Sequence, residues 1–145
     1  MARNEAQAHY LNAIESKQLI FATGEAGCGK TWISAAKAAE ALINKDVERI
    51  IVTRPVLQAD EDLGFLPGDI SEKFAPYFLT RLGENVTVIV NGDITQCDLP
   101  SGVKSGLSDA MSRFEEDEMI GVVRFTKEDC VRSALCQRTL EVYSD

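Results

Sequence analysis

The stretch Gly24-Glu25-Ala26-Gly27-Cys28-Gly29-Lys30-Thr31 decides the fold expected for this 145-residue chain. It matches the pattern G-x-x-x-x-G-K-[ST] at every fixed position. Glycines in such a loop let backbone N–H groups turn inward around phosphate oxygens without a side-chain clash. Lys30 adds a mobile positive charge for the β- and γ-phosphates, and the Thr31 hydroxyl is a ligand for Mg²⁺. The loop and the adjoining Trp32 therefore predict a site for a purine nucleoside triphosphate, with ATP and Mg²⁺ expected.

The elements on either side of the loop are those that the motif requires. Leu19 to Ala22 is an apolar run that ends near a glycine, which is typical of a buried parallel strand. Thr31 to Asn44 has helical periodicity, with one face formed by Trp32, Ala36, Ala39 and Ile43. A strand before the loop and a helix after it favour a phosphate site over an incidental glycine turn.

Further helices and strands alternate along the rest of the chain. We expect a short helix over Asn4–Ser16, with Ala8, Leu11 and Ile14 on one face, and a helix after Thr126, where Asp129 completes a capping box. Further strands are predicted at Arg49–Thr53, Val86–Val90 and Gly121–Phe125. This alternation predicts one α/β domain over residues 1–145, a P-loop NTPase with a parallel sheet flanked by helices.

Composition narrows the class of partner. The formal net charge of -8 argues against a broadly basic nucleic-acid surface, so any such site would be a local groove or be shared between subunits. No apolar run approaches the length of a membrane span, and no secretory signal opens the chain. The four cysteines show no paired spacing and are expected to be reduced thiols in a cytoplasmic protein.

Several side chains near predicted strand ends are candidates for the same site. Gln7 and Tyr10 lie one helical turn apart and could bind and stack on adenine, although ordinary surface and core roles are the stronger alternative. Arg54 could meet a phosphate or form a surface ion pair. After the third strand, Asp93 and Gln96 could hold the attacking water or sense the γ-phosphate.

Three arginines in the last quarter, Arg124, Arg132 and Arg138, are candidates for an arginine finger. Each would ordinarily be a solvated charge. In a ring-shaped oligomer, one of them could reach the γ-phosphate of a neighbouring subunit.

With these motifs quoted, the chain resembles the PhoH family of P-loop ATPases. The resemblance rests on the phosphate loop and on four further segments: Thr53-Arg-Pro55, Leu63-Gly-Phe-Leu-Pro-Gly-Asp69, Asn91-Gly-Asp-Ile-Thr-Gln96 with Asp98-Leu-Pro100, and Val131-Arg132 with Gln137-Arg138. It covers nearly the whole chain, and the segment from Leu63 to Asp69 is its most specific part.

The resemblance implies a RecA-like core related to superfamily 1 helicases, ATP hydrolysis and homo-oligomeric rings, with a hexamer as one option. It also implies RNA or single-stranded nucleic acid as a partner, while the lack of a long apolar run predicts no membrane partner. For individual residues, it implies that Gln7 contacts adenine, that Gln96 senses the γ-phosphate and that Arg132 acts as the inter-subunit finger.

One departure from the family pattern concerns hydrolysis. The family carries an apolar strand ending in Asp-Glu, the Walker B segment, between the Thr-Arg-Pro and Gly-Asp-x-x-Gln motifs. Here Phe78 runs straight into Leu79, and no such strand lies between those motifs. Either the printed sequence omits a middle segment at the 78/79 junction, which we favour, or the chain carries a real deletion that removes the Mg²⁺-binding carboxylates.

Three functions follow in order of preference. The first is an ATPase that couples hydrolysis to a conformational change on RNA. The second is a nucleotide-binding module that does not hydrolyse, because the Walker B segment is absent. The third is a small-molecule kinase, which shares the loop but for which no lid or acceptor site is recognisable.

Overall fold

The computed structural model describes residues 2–53, 79–94 and 106–130, together with Arg138. Its helices are α1 (Glu5–Ser16), α2 (Lys30–Ile43) and α3 (Gly106–Arg113). Its strands are β1 (Leu19–Thr23), β2 (Val88–Gly92) and β3 (Ile120–Arg124), and a 3-10 turn follows at Lys127–Asp129. The predicted α/β class is confirmed. None of the helices described is long and apolar enough to cross a membrane.

The three strands form a parallel sheet in the order β2-β1-β3. Thr23 at the end of β1 is level with Gly92 of β2 and with Arg124 of β3. Because parallel strands end at the same edge, the phosphate loop after β1 lies between the segments that follow β2 and β3. All five residues of β1 are buried, as expected for the central strand.

Helix α1 packs mainly against the β3 side of the sheet. Its N-cap is Asn4, whose side chain accepts a hydrogen bond from the backbone of Gln7, which closes the first turn. The buried face consists of Gln7, Tyr10 and Ala13, whereas Leu11 and Ile14 are only partly buried. The helix was therefore predicted correctly, but its buried face is rotated by about one residue from the predicted one.

Two apolar clusters fill the faces of the sheet. The first lies under α1 and includes Tyr10, Ile20, Cys28, Ile33, Val123 and Phe125. The second lies under α3 and includes Leu19, Phe21, Ala110 and Met111, with Phe114 stacked on Phe21. Neither cluster reaches far along α2, of which only Ile33 is buried.

The strand predicted at Arg49–Thr53 is not observed: these residues form neither helix nor strand. Their apolar side chains face solvent, with Ile51 76% and Val52 89% exposed. The two positions beside β1 are already taken by β2 and β3. A strand at Arg49–Thr53 would therefore have to pair with the outer edge of β2 or β3, and no such pairing is found within the residues described.

Candidate nucleotide-binding site

The phosphate loop leaves β1 at Gly24 and enters α2 at Lys30. Gly24, Gly27 and Gly29 all have positive φ angles, of 148°, 92° and 86° respectively. Only glycine adopts such angles without strain, which explains why the loop needs glycine at these positions. Gly29 is the N-cap of α2 and provides no side-chain cap, so the first N–H groups of the helix remain available to an anion.

Gly24 is also required by close packing against the chain after β3. A Cβ atom at Gly24 would lie 2.6 Å from Cβ and 2.9 Å from O of Phe125. The sheet extends to this point, since the Phe125 backbone N–H donates to Thr23 O at 2.8 Å. The beginning of the loop is therefore fixed against the segment that follows β3.

Lys30 lies inside the loop. Its Nζ donates to Gly24 O at 2.5 Å and to Glu25 O at 2.8 Å. Partial burial lowers the pKa of Lys30, and the nearby negative charge of Asp93 opposes that shift. An ammonium group on carbonyl oxygens in this position can turn to phosphate oxygens, which are stronger acceptors for a positively charged donor.

Gln7 supports the loop from behind. Its Nε2 donates to Cys28 O at 3.3 Å, and its Oε1 accepts from the Arg3 backbone N–H at 2.9 Å. The side chain is buried, and both ends of its amide are bonded within the protein. The adenine contact implied for Gln7 stays a prediction, and it would require the amide to exchange at least one of these bonds.

Tyr10 is a core residue and does not offer its ring to a base. It is fully buried, and its ring meets Phe125 edge-on, with the centroids 5.7 Å apart. Its hydroxyl donates to Asn91 Oδ1 at 2.6 Å, and Asn91 Nδ2 donates to Ser34 Oγ at 3.0 Å. Burial raises the pKa of Tyr10 to about 12. This chain of bonds links α1, β2 and the first turns of α2.

The segment after β2 lies beside the loop, as predicted. Asp93 is half-buried and close enough to Lys30 for their charges to interact. Gly92 packs closely against the Leu107 side chain of α3. Gln96 lies outside the described residues, and so do Arg54 and Arg132. Arg124 forms an ion pair with Glu115 at 2.6 Å, and Arg138 is exposed.

An open cavity of about 610 Å³ adjoins the loop on the α1 side. Its lining includes Arg3, Gln7, Gly27, Gly29 and Trp32. Trp32 is 71% exposed, so its ring is available to a ligand in this cavity. The volume is in the range of small-molecule sites and is suited to a base and ribose attached to phosphates in the loop. Thr31 is also exposed at the start of α2.

The sequence did not indicate every residue of the site. Ser34 and Asn91 connect the loop helix to β2, and Phe125 forms the wall behind Gly24. Asn91 stood in a quoted motif, but neither its partner nor the packing of Phe125 could be read from local patterns. Both depend on contacts between residues more than 50 positions apart in the chain.

Comparison with known proteins gives a consistent result. The matching family is described as PhoH-like protein, and it matches residues 1–79 and 77–144. Protein PhoH of Escherichia coli (strain K12) is 63% identical over 205 residues, which is 99% of this chain and 58% of the relative. A PhoH-like protein of Bacillus subtilis (strain 168) is 31% identical over 196 residues, which is 94% of this chain and 61% of the relative. The chain thus spans less than two thirds of the length of these curated relatives.

Proposed function

Since this chain belongs to the PhoH family, we propose that it is a P-loop ATPase that binds ATP with Mg²⁺ and hydrolyses it to drive a conformational change, with RNA as its substrate. The observation that carries the proposal is the loop itself. Three positive-φ glycines, an uncapped helix start and an inward-facing lysine converge on one point. This arrangement suits a triphosphate better than any neutral ligand.

The residues present fit the groups that the proposal needs. Lys30 would hold the β- and γ-phosphates, and Thr31 at the start of α2 would ligate Mg²⁺. Trp32 and Gln7 border the cavity on the base side. Asp93 lies beside Lys30, where its carboxylate would face the γ-phosphate and the attacking water, and Gln96 three residues later would act as the phosphate sensor. Arg132 would act on the site of a neighbouring subunit in a homo-oligomeric ring.

A Lys30→Ala variant tests the proposal. We expect it to lose ATP turnover and at least about tenfold in ATP affinity, because a charge-assisted contact to phosphate is removed. Lys37→Ala is the matched control, since Lys37 lies on the same helix but pairs with Glu15 and Glu40, away from the loop. Phosphate release and calorimetric binding of ATP would be measured for all three proteins. Equal turnover in the native chain and Lys30→Ala would overturn the proposal.

A second candidate is a nucleotide-binding module that does not hydrolyse ATP. It requires that a middle segment be absent from the protein, and two findings show that the sequence lacks a counterpart of such a segment. The family matches the chain in two stretches that meet at residues 77–79, next to the 78/79 junction. The alignment with the E. coli protein extends over 205 residues, whereas this chain has 145, so about 60 residues of the relative have no counterpart. A segment of that length is sufficient for the Walker B strand and its carboxylates.

An intact mass separates the two candidates. A purified protein several kilodaltons heavier than 15.9 kDa carries the middle segment, and we then expect steady phosphate release. A mass equal to 15.9 kDa identifies a real deletion. In that case we expect Mg²⁺-sensitive ATP binding without phosphate release, and steady turnover by the 15.9 kDa protein would exclude the binding module.

A further inference from the structure

Two cysteines that are distant in the sequence meet at the phosphate loop. A disulfide joins Cys28 to Cys130, which are 102 positions apart. Cys28 lies between Gly27 and Gly29 of the loop, and Cys130 directly follows the 3-10 turn after β3. The sequence predicted separate reduced thiols and did not indicate this pairing, while Cys97 and Cys136 lie outside the described residues.

The surroundings of the pair suit the reduced state as well as the oxidised one. The Cys28 side chain is fully buried in the cluster under α1, whereas Cys130 is half-buried. Both sulfur atoms lie near Thr126 O, at 3.9 Å for Cys28 and 3.7 Å for Cys130. After reduction, each thiol would thus have the same carbonyl oxygen as its acceptor. Their unequal exposure means that a reagent from solvent reaches Cys130 first.

Cys130 directly follows a turn that is closed by hydrogen bonds. The turn before it is closed by a capping box, in which the Thr126 backbone N–H donates to Asp129 Oδ2 at 2.7 Å. The Cys130 backbone N–H donates to Lys127 O. On the other side of the bridge, the loop contains three glycines with positive φ, and the carbonyl of Cys28 accepts a hydrogen bond from Gln7. Oxidation thus attaches a glycine-rich loop to a well-formed turn.

We propose that Cys28 and Cys130 form a thiol–disulfide modification site that controls nucleotide binding. The bridge leaves the phosphate side of the loop open, because the Cys28 side chain is directed into the core. Oxidation restricts the empty loop to the shape that encloses phosphates, so less conformational entropy is lost when the ligand binds. The oxidised protein therefore binds ATP more tightly than the reduced protein. This inference rests on the proposed function of the loop.

The reaction partner is a low-molecular-weight disulfide. The Cys130 thiolate attacks one sulfur of that disulfide, so a mixed disulfide forms and the first small thiolate leaves. Cys28 then loses its proton to solvent, and its thiolate attacks Cys130 Sγ and expels the second small thiolate. Two protein thiols are oxidised and one small disulfide is reduced, and the two protons lost by the cysteines are taken up by the two small thiolates, which leave as thiols. A dithiol reductant reverses the reaction.

The test treats the full chain with oxidised glutathione or with dithiothreitol. Peptide mapping without reduction should show a Cys28–Cys130 crosslink only after oxidation. The linked peptide should weigh two hydrogen atoms less than the sum of the two peptides in their thiol forms. Titration with a non-hydrolysable ATP analogue should show affinity at least about fivefold higher for the oxidised protein. Cys130→Ser should remove this redox dependence, whereas the double variant Cys97→Ser with Cys136→Ser should retain it.

The possible results separate this inference from the proposed function. Absence of the crosslink, or equal affinity in the two redox states, overturns the switch and leaves ATP binding intact. If the crosslink forms but neither state binds the analogue, the proposed function fails and its control by the pair fails with it. Tighter binding by the reduced protein also overturns the proposal, since the bridge would then oppose the nucleotide-binding shape.

Discussion

At the scale of single residues, the site depends on contacts behind the loop as much as on the motif. Gly24 provides room for Phe125, and Gln7 holds the carbonyl of Cys28. The Lys30 ammonium group is held in the loop by hydrogen bonds to the backbone carbonyls of Gly24 and Glu25. These interactions fix the shape of the loop, so substitutions that touch no phosphate should still alter binding.

Gly24→Ala should destabilise the fold. The new Cβ would meet Phe125 at 2.6 Å, and the φ of 148° is one that alanine rarely adopts. We expect the free energy of unfolding to fall by about 1–3 kcal/mol, measured by urea titration. Gly83→Ala is the control, since nothing lies within 4 Å of a Cβ there, and we expect a change within about 0.5 kcal/mol. Equal effects of the two substitutions would contradict the packing argument.

Gln7→Ala distinguishes two roles for this residue. Because both ends of its amide are bonded within the protein, we expect it to act through the loop. Affinity for ATP and for GTP should then fall by the same factor, with a stability loss of about 1–3 kcal/mol from the unpaired groups. His9→Ala, on the exposed side of the same helix, is the control. Loss of ATP affinity alone would instead assign Gln7 to the adenine base.

At the scale of helices and strands, one buried hydroxyl connects three elements. Tyr10 of α1 donates to Asn91 of β2, and Asn91 donates to Ser34 of α2. Asn91 lies two residues before Asp93, and Ser34 lies one turn after Lys30. The connection therefore sets the position of the segment after β2 relative to the start of the loop helix.

The raised pKa of Tyr10 predicts how stability depends on alkaline pH. Burial favours the neutral phenol in the folded state, so its pKa rises from 10.0 to about 12. The stabilisation is fully present below pH 10 and is lost as pH rises towards 12, and a shift of this size corresponds to roughly 2–3 kcal/mol. In Tyr10→Phe, the free energy of unfolding should not show this decrease between pH 10 and 12. Near neutral pH it should be about 1 kcal/mol lower than in the native chain, because the hydrogen bond to Asn91 is lost. Urea unfolding of both proteins at several pH values measures the difference, and parallel pH profiles would contradict it.

At the scale of the whole molecule, a large apolar surface is left uncovered. Four apolar side chains are between 71% and 89% exposed, namely Trp32, Ile43, Ile51 and Val52. The first two belong to the apolar face predicted for the helix after the loop, and the other two belong to the strand predicted at Arg49–Thr53. Helix α2 contacts β2, so the chain leaves β1 towards the β2 side of the sheet. Apolar side chains of this size are ordinarily covered by a further segment of the chain or by a partner.

If the purified protein has a mass of 15.9 kDa, restoring the middle segment should cover these exposed apolar side chains. We would insert, between Phe78 and Leu79, the segment of about 60 residues of the E. coli relative that lies within the alignment but has no counterpart in this chain. We expect a higher melting temperature, because apolar area is buried, and the appearance of phosphate release. A glycine-serine linker of the same length is the control and should give neither. Equal melting temperatures for the two insertions would contradict the assignment of this surface to the segment.

The sequence by itself determined the features that are encoded locally. The phosphate loop, the helix after it, the Thr126–Asp129 capping box and the parallel α/β class follow from residue types at short spacing. The tertiary structure alone decided that β1 is central, that Tyr10 is buried and that Cys28 meets Cys130. These depend on pairings between distant parts of the chain, which no local pattern specifies. The predicted strand at Arg49–Thr53 failed for the same reason, since a strand persists only when another strand pairs with it.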